Sequence, residues 1–388
     1  MRNNNGRLIA VVASVAVAAV AIGAALAYRQ APQTAQADAA PLTSSPSLPT
    51  PSWSASTPTP TATPSTLKPT ASAVTKLNIS KLPQGREPQV PYLIGREVHS
   101  GSNYKVQIPG KGSVLSMGQL GGSTLAVVMY EPDGDGTELL KLEPGGTVRR
   151  TPDVSSLVTT ADQRAAAYAA ARLSSLGVPN KGGTVYAETG DSLQSLKLPN
   201  SWEARVIAYT GGKVYYRASD EETGPWKLYA WVPGEAKAQL IKAVISPTAV
   251  SADGRTAAAM PVRNDDGTCS NVVQIPSGTQ LFRTCAFQVR GFTPNGAIAY
   301  GDEDNAEGFC SGTSAAFEAN SGKVLHEWKG CFQAMAVEDD QHVLVVAFAT
   351  PAGQTEKVRT AIIRCTITTG ACELATPIGT DTPLVIGS

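Results

Sequence analysis

The chain has 388 residues, with 32 basic and 32 acidic side chains and a formal net charge of zero. A balanced charge offers no broad positive field to a phosphate backbone, so we expect no nucleic-acid partner. The six cysteines form no CxxC pair and there are only three histidines, so no metal-ligand spacing is present and we expect no metal or other cofactor.

The N-terminus predicts an export signal or a membrane anchor. Arg2 and Arg7 belong to a short basic start, residues 1–7, and residues 8–27 are uncharged and mainly apolar. Such a run can cross the ~30 Å core of a bilayer as a helix, with the basic side in the cytoplasm. The alternative is a cleaved signal, because residues 35–37 (AQA) fit a signal peptidase site. We predict a single-pass membrane protein with an extracellular domain, or a secreted protein if the segment is cleaved.

Residues 28–75 predict a disordered linker. Residues 31–75 contain nine prolines but only two charged side chains, Asp38 and Lys68. A segment rich in Pro, Ser and Thr cannot assemble a hydrophobic core. It therefore serves as a spacer between the membrane and the domain at residues 76–388.

From about residue 90 onward the chain is a repeat. A glycine between two short apolar runs recurs at steps of 44, 45, 44, 44, 44 and 48 residues. The positions are Gly101, Gly145, Gly190, Gly234, Gly278, Gly322 and Gly370. A period of this length indicates a repeat architecture built from stacked supersecondary units.

A second, tighter turn precedes six of these glycine hairpins, so that one unit contains four strands. These turns lie near Gly122, Gln163, Gly212, Gly254, Gly296 and Gln341. Four antiparallel strands in this order make one blade of a β-propeller. The first unit lacks a strand, which the orphan apolar run 384–386 can supply. We predict an all-β, seven-bladed β-propeller closed by pairing of its N- and C-terminal strands.

Two of the tight turns carry a recognisable motif. Residues 251–255 (SADGR) and 293–296 (TPNG) resemble the S-P-D-G-R turns of exported TolB-like and WD-repeat-like propeller proteins. The resemblance extends over residues 90–388 as a style of repeat. It implies a propeller fold but no particular activity, because propellers serve many functions.

No catalytic motif is apparent. The sequence lacks GxSxG, and His99, His326 and His342 lie beside predicted hairpin turns or within a predicted strand, where surface or packing roles are sufficient. We predict a non-catalytic binding or scaffold module at the cell envelope. The alternative is a secreted propeller hydrolase acting on polysaccharide or peptide, whose carboxylates need only converge in space.

Acidic side chains gather in the loops between the second and third strands of four blades, which all leave the same end of the sheets. This candidate binding face comprises Asp133, Asp135, Asp220, Glu221, Asp265, Asp266, Asp302, Glu303 and Asp304. Two other blades carry Arg172 and Lys357 in these loops. We expect the face to bind a cationic protein or peptide of the envelope. None of the acidic loops continues into an EF-hand pattern, so a calcium site is not predicted.

The six cysteines predict three disulfides. Each pair brackets one predicted hairpin turn, so its two members come to lie on opposed strands within reach of each other. The pairs are Cys269 with Cys285, Cys310 with Cys331, and Cys365 with Cys372. Export makes disulfides the expected state of these thiols.

Overall fold

The computed structural model describes residues 73–101, 104–130, 136–173, 179–190, 192–264, 267–303, 310–349 and 358–387. The chain divides into two units, Met1–Thr66 and Leu67–Ser388. The predicted membrane segment, residues 8–27, lies outside the described residues. In the described part no helix is long and apolar enough to cross a membrane. The one helical element there is a 3₁₀ turn, Ile79–Lys81.

The described residues form 29 β-strands, numbered here in chain order. They are β1 (Ala73–Lys76), β2 (Tyr92–Ile94), β3 (Glu97–Ser100), β4 (Tyr104–Gln107), β5 (Val114–Leu120), β6 (Ser123–Met129), β7 (Thr137–Leu142), β8 (Val148–Pro152), β9 (Val154–Thr159), β10 (Ala165–Leu173), β11 (Pro179–Thr189), β12 (Ser192–Leu198), β13 (Trp202–Thr210), β14 (Lys213–Ser219), β15 (Lys227–Trp231), β16 (Gln239–Ile245), β17 (Pro247–Val250), β18 (Thr256–Asn264), β19 (Gly267–Gln274), β20 (Gln280–Thr284), β21 (Gln288–Phe292), β22 (Ile298–Asp302), β23 (Ser311–Glu318), β24 (Val324–Val337), β25 (His342–Phe348), β26 (Arg359–Thr366), β27 (Cys372–Leu374), β28 (Gly379–Thr380) and β29 (Leu384–Ile386).

These strands form six sheets, five of which have four strands. Sheet 1 has the order β29-β2-β3-β4, and sheets 2 to 5 contain β5 to β8, β9 to β12, β13 to β16 and β17 to β20 in turn. Sheet 6 has nine strands. In it the long strand β24 pairs with β23 through its first half and with β25 through its second half. Two four-stranded units, β21 to β24 and β24 to β27, therefore share one strand.

The repeating glycines lie in the turns between the third and fourth strands of these units. All seven have a positive φ, between 54° and 98°, a conformation that glycine adopts without steric cost. At Gly322 and Gly370 there is a second reason. An added Cβ would lie 2.5 Å from the ring of Phe282 and 1.8 Å from Nε2 of His326, respectively. The hairpins at Gly322 and Gly370 thus pack directly on the fourth strand of the preceding unit.

The hydrophobic core lies between successive four-stranded units rather than at one centre. Leu93 and Met117, for example, bring sheets 1 and 2 together, and Val206 and Val185 bring sheets 4 and 3 together. One cluster returns from sheet 6 to sheet 1, where Leu344 of β25 packs with Tyr92 of β2. Alternate residues on each strand therefore face the units on both sides, as the alternating apolar pattern requires.

The C-terminal run pairs with the first unit. Strand β29 is antiparallel to β2, with Tyr92 opposite Ile386 and Ile94 opposite Leu384. The missing strand of the first unit is thus supplied from the end of the chain, in the manner that the sequence predicts.

The segment before the repeat adds contacts that the sequence did not predict. The predicted linker extended to residue 75, but β1 begins at Ala73 and pairs parallel to β24. Farther along, Gln84 bridges to Leu374 of β27. Residues 73–91, here called the N-terminal strap, therefore pair with β24 and then with β27 of sheet 6 before the chain enters sheet 1.

Three disulfides connect strands or loops of the last three units. The pairs are Cys269–Cys285, Cys310–Cys331 and Cys365–Cys372, which are the pairs that the hairpin spacing predicts. Cys365 and Cys372 are directly opposed in the register of β26 and β27. Disulfides of this kind are typical of an oxidising, extracellular environment.

Candidate functional site

The two ends of the sheets are built differently. In an up-and-down antiparallel sheet, successive connections leave at alternate ends. The turns between first and second strands, and between third and fourth strands, share one end, here called the turn end. The connections between second and third strands, and from one unit to the next, share the opposite end, here called the loop end.

At the turn end, three tight turns share one hydrogen-bond pattern. In each, a Ser or Thr hydroxyl donates to an Asp or Asn oxygen two residues later and accepts the amide five residues later. The hydroxyl and amide partners are Ser251 with Asp253 and Thr256, Thr293 with Asn295 and Ile298, and Thr160 with Asp162 and Ala165. Burial alone would raise the pKa of Asp253, but hydrogen bonds from Ser251 and the Arg255 amide outweigh it and lower that pKa. These polar groups are thus engaged by their own turn.

Two of these turns are the ones that carry the TolB-like sequence motif. The third, at residues 160–165, has Gln163 at a φ of 57° where the other two have glycine. Its hydrogen bonds match those of the other two turns, although its amino-acid sequence does not match the motif. The structure therefore extends the shared turn to a unit in which the motif is not visible by sequence.

At the loop end, the predicted acidic face is only partly described. Asp133, Asp135, Asp265, Asp266 and Asp304 lie outside the described residues. Asp220 forms an ion pair of 2.5 Å with Lys227, and Asp302 forms one of 2.9 Å with Arg290. Glu221 is exposed and Glu303 is half-buried. Two of the four described acidic side chains of this face are thus paired with basic side chains of their own sheets.

The basic loops that were expected to orient a partner are described even less. The side chain of Arg172 and the whole of Lys357 lie outside the described part. Their role remains the sequence-based expectation.

The connection 220–226 of sheet 4 is fully described, and its Trp226 contacts an arginine of β14 that lies in an unusual setting. The guanidinium carbon of Arg217 lies 3.8 Å from the ring centroid of Trp226. Its Nη1 donates a long hydrogen bond of 3.5 Å to the carbonyl oxygen of Pro247, the first residue of sheet 5. Nε is buried and has no acceptor among the described residues. Arg217 thus links sheet 4 to the start of sheet 5 at the loop end.

A second arginine lies directly beside it. Arg205 on β13 is opposite Arg217 on β14 in the strand register, so both side chains leave the same face of sheet 4. Arg205 is paired with Glu203 at 2.7 Å, but Arg217 has no carboxylate partner within 4.0 Å among the described residues. Burial, and after it the charge of Arg205, lower the pKa of Arg217 to about 10.

The most extensive ion-pair network lies where the strap crosses sheet 6. The buried guanidinium of Arg364 contacts the carboxylates of Glu338 and Glu373 and donates to the carbonyl oxygens of Arg86 and Glu87, each at 2.9 Å. Burial alone would raise the pKa of Glu338, but hydrogen bonds from Arg364 and from the amide of Gln89 lower it. We interpret this network as a clasp that holds the strap.

Part of the clasp has the composition of a metal site. Ligand atoms of Glu338, Asp339 and His342 lie within 4.8 Å of one another, although the sequence predicted no metal-binding spacing. However, Arg364 and Arg86 contact Glu338, and His342 Nδ1 lies 2.9 Å from both carboxylate oxygens of Asp339. The carboxylates are therefore already compensated by protein groups.

The other two histidines are packing residues. His99 stacks on Tyr92 with ring centroids 5.0 Å apart. His326 is buried between Trp328 and the strap, and its Nε2 lies 2.8 Å from the hydroxyl of Thr75. Among the described residues, neither histidine forms a hydrogen bond with a serine or cysteine side chain.

An open groove of about 450 Å³ lies on the outer side of sheets 1 and 2. Its walls are the outer strand of sheet 1, with Tyr104 and Val106, and the β7–β8 hairpin of sheet 2, with Leu142 and Pro144. The groove brings together none of the charged residues that the sequence singled out.

Comparison with known proteins shows similarity in fold only. No protein-family description and no curated protein matches the sequence. Among solved structures, a variant of puromycin hydrolase is similar with a TM-score of 0.50 at 12% identity, over 78% of this chain and 55% of that one. The chain thus spans about half the length of puromycin hydrolase.

Two smaller proteins are also similar in structure. TolB from Acinetobacter baumannii is 13% identical, with a TM-score of 0.40, over 64% of this chain and 67% of that one. An uncharacterized protein from Listeria monocytogenes EGD-e is 11% identical, with a TM-score of 0.46, over 69% of this chain and 84% of that one. At these identities nothing about activity transfers. The successive four-stranded sheets and the shared turns are those of a β-propeller with TolB-like repeats.

Proposed function

We propose that this chain is an exported, membrane-tethered, seven-bladed β-propeller whose loop end binds a partner in the cell envelope without catalysing a reaction. The proposal rests mainly on the difference between the two ends of the sheets. Asp162 and Asp253 at the turn end cap their own turns, whereas Glu221 and Glu222 at the loop end are exposed and form no ion pair among the described residues. Charges that their own fold does not use are available to a partner.

The blade count of seven treats sheet 6 as two blades that share β24. Two observations support it. Seven hydrophobic clusters are found in the described residues, and each lies between two successive four-stranded units. The first strands of successive units also contact one another, and β29 contacts both β5 and β24. Units that contact only their neighbours and return to the first make a closed ring.

The partner that fits this loop end is a cationic peptide or protein segment. Exposed carboxylates set up a potential that attracts positive charge over about 10 Å at 0.1 M salt and only about 3 Å at 1 M salt. The three disulfides support an extracellular location for this encounter. Binding of this kind should weaken as salt rises.

The proposal can be tested with a lysine decamer as the cationic probe. We compare the full chain with a variant in which Glu221, Glu222 and Glu303 are replaced by Gln. Exposed ion pairs contribute about 0.2–1 kcal/mol each, so three losses should weaken binding by about 3- to 150-fold at 50 mM salt. Fluorescence anisotropy measures the affinity, and the difference between the two proteins should vanish at 1 M salt.

A matched control changes three carboxylates at the turn end. Glu143, Glu235 and Glu318 lie in or next to the turns between third and fourth strands, and their replacement by Gln alters the net charge equally. The control should bind the decamer nearly as well as the parent. Equal losses in both variants, or no loss in either, would contradict a binding role of the loop end.

A further inference from the structure

Arg217 differs from the other inward-facing arginines of the described residues in lacking an acceptor that matches its charge. Arg364 contacts two carboxylates and two carbonyl oxygens, and Arg96 donates to three carbonyl oxygens. Arg217 makes a single 3.5 Å hydrogen bond, to Pro247, and its Nε has no acceptor. Most N–H donors of Arg217 therefore have no acceptor among the described residues.

This arrangement is unfavourable for the isolated chain. Like charges directly opposed on neighbouring strands repel each other, and Arg205 is opposite Arg217. Burying a charged donor without a partner also has a desolvation cost. Such an arrangement is typical of a site that an oppositely charged ligand completes.

The guanidinium is nevertheless held in place. The ring of Trp226 lies 3.8 Å from it and restricts the plane in which its donors point. The backbone of Trp226 is held in turn, because its carbonyl oxygen accepts a hydrogen bond from the amide of Ser246 at 2.7 Å. The guanidinium of Arg217 is thus held by the ring of Trp226 in sheet 4 and by the carbonyl oxygen of Pro247 at the start of sheet 5.

We propose that Arg217 and Arg205 form a binding site for a single carboxylate where sheet 4 meets the start of sheet 5. The planar fork of Arg217 matches a carboxylate in two parallel hydrogen bonds. Arg205, on the same face and about half exposed, lies beside it as a second guanidinium that is also paired with Glu203 at 2.7 Å. The ligand's apolar portion would rest near the ring of Trp226.

The neighbouring charges favour a monovalent anion. Glu221 and Glu222 are exposed on the same connection as Trp226, and they repel ligands with several negative charges. A carboxylate therefore fits better than a phosphate. Its source is either a small organic acid or the free C-terminus of a peptide. The site does not depend on the cationic partner proposed above.

The test observes Trp226 directly in the full chain. The indole ¹⁵N–¹H resonance of Trp226 is identified by its loss in Trp226→Phe. Acetate is then titrated at constant ionic strength, with acetamide as its neutral counterpart. One carboxylate held by charged hydrogen bonds should bind with a Kd on the order of 10 mM. We expect acetate, and not acetamide, to shift this resonance with saturation.

Variants assign the effect to the site. Arg217→Gln should weaken acetate binding at least 10-fold, whereas Arg255→Gln, an exposed arginine at the turn end, should leave it unchanged. Arg217→Lys keeps the charge without the fork and should fall between. Thermal melting of each variant establishes that it is folded. Equal shifts by acetate and acetamide, no saturable shift, or full binding by a folded Arg217→Gln protein would each overturn the proposal.

A second arm distinguishes the two ligand sources. The tripeptide acetyl-Lys-Ala-Ala is used with a free C-terminal carboxylate and with an amide. If the site accepts peptide C-termini, the free acid should bind at least 10-fold more tightly than acetate, and the amide should not bind. If the free acid binds no better than acetate, the site is one for small organic acids.

Discussion

The meander of sheets 2 to 5 and the region where the chain ends meet are held together in different ways. In the meander every strand pairs with a neighbour in sequence, through turns of a few residues. Where the ends meet, β1 pairs with β24, Gln84 with Leu374, and β2 with β29, all more than 200 residues apart. Local turn chemistry therefore determines the meander, whereas long-range pairing determines the closure.

The closure also carries the most deeply buried ion pair among the described residues, Arg364 with Glu338. The clasp around Arg364 is buried, whereas most ion pairs of the meander are exposed. The disulfides do not follow this division, because each brackets one hairpin turn and Cys269–Cys285 lies in sheet 5 of the meander. We infer that the buried ion pairs lie where sequence proximity does not help the fold. Three predictions test this difference, from the largest expected effect to the smallest.

Removal of the closing strand should have the largest effect. A chain that ends at Thr382 loses β29 of sheet 1, whose three side chains pack toward the neighbouring sheets 2 and 6, and leaves β2 as an unpaired edge. Their burial contributes about 3–5 kcal/mol, so the melting temperature should fall by roughly 5 °C or more. A chain that ends at Ile386 is the control and should melt near the parent. Identical melting of both chains would mean that closure does not depend on β29.

Disruption of the clasp should come next. Arg364→Met leaves the fully buried carboxylate of Glu338 with the partly exposed Arg86 and the amide of Gln89. Breaking a buried pair in this way costs about 3–5 kcal/mol, and urea unfolding measures it. The control in the meander is Arg149→Met, because Arg149 is 71% exposed in its pair with Glu143. An exposed pair contributes less than about 1 kcal/mol.

A double variant separates charge from packing in the clasp. When Glu338→Leu is added to Arg364→Met, no buried charge is left unpaired, and about 1–4 kcal/mol should return. If Arg364→Met costs no more than Arg149→Met, the clasp does not contribute to the closure.

The smallest effect concerns pH and His326. Burial lowers the pKa of His326 below its ordinary value of about 6.5, and the charge of Glu327 raises it by less. The neutral ring is therefore favoured in the folded state. The free energy of unfolding that the neutral ring contributes is fully present above about pH 6.5. It is lost as the pH falls through the folded pKa, by at most ~1.4 kcal/mol per pH unit.

The variant His326→Gln removes this titration and keeps a polar partner for Thr75. Urea unfolding between pH 8 and pH 5 should show a shallower loss of stability for the variant than for the parent. Parallel curves for the two proteins would show that His326 does not couple the strap to pH.

The candidate site was only partly predictable. The acidic loops follow from a count of carboxylates, but their partners Lys227 and Arg290 are found only when the strands pair. The setting of Arg217 was missed altogether, because its contacts come from β13, from the connection before β15 and from the next sheet. A faint signal was present in the two arginines, which lie twelve residues apart on either side of a predicted tight turn.

The sequence by itself determined the features that depend on short-range chemistry. Glycines in left-handed turns, Ser or Thr with Asp or Asn in the tight turns, and cysteines spaced across hairpins all act within one unit. Their period also predicted the four-stranded unit and the missing strand that β29 supplies. These inferences hold because a turn positions its own flanking strands whatever surrounds it.

Tertiary structure alone decided what crosses between units. The strap, the clasp at Arg364 and the shared strand β24 have no local signature, because their residues are polar or ordinary strand formers until a distant partner meets them. The same holds for the balance of charge at the loop end. A guanidinium or a carboxylate is solvated, paired or buried according to which strand lies opposite, and that pairing is set by the burial of apolar faces between neighbouring units.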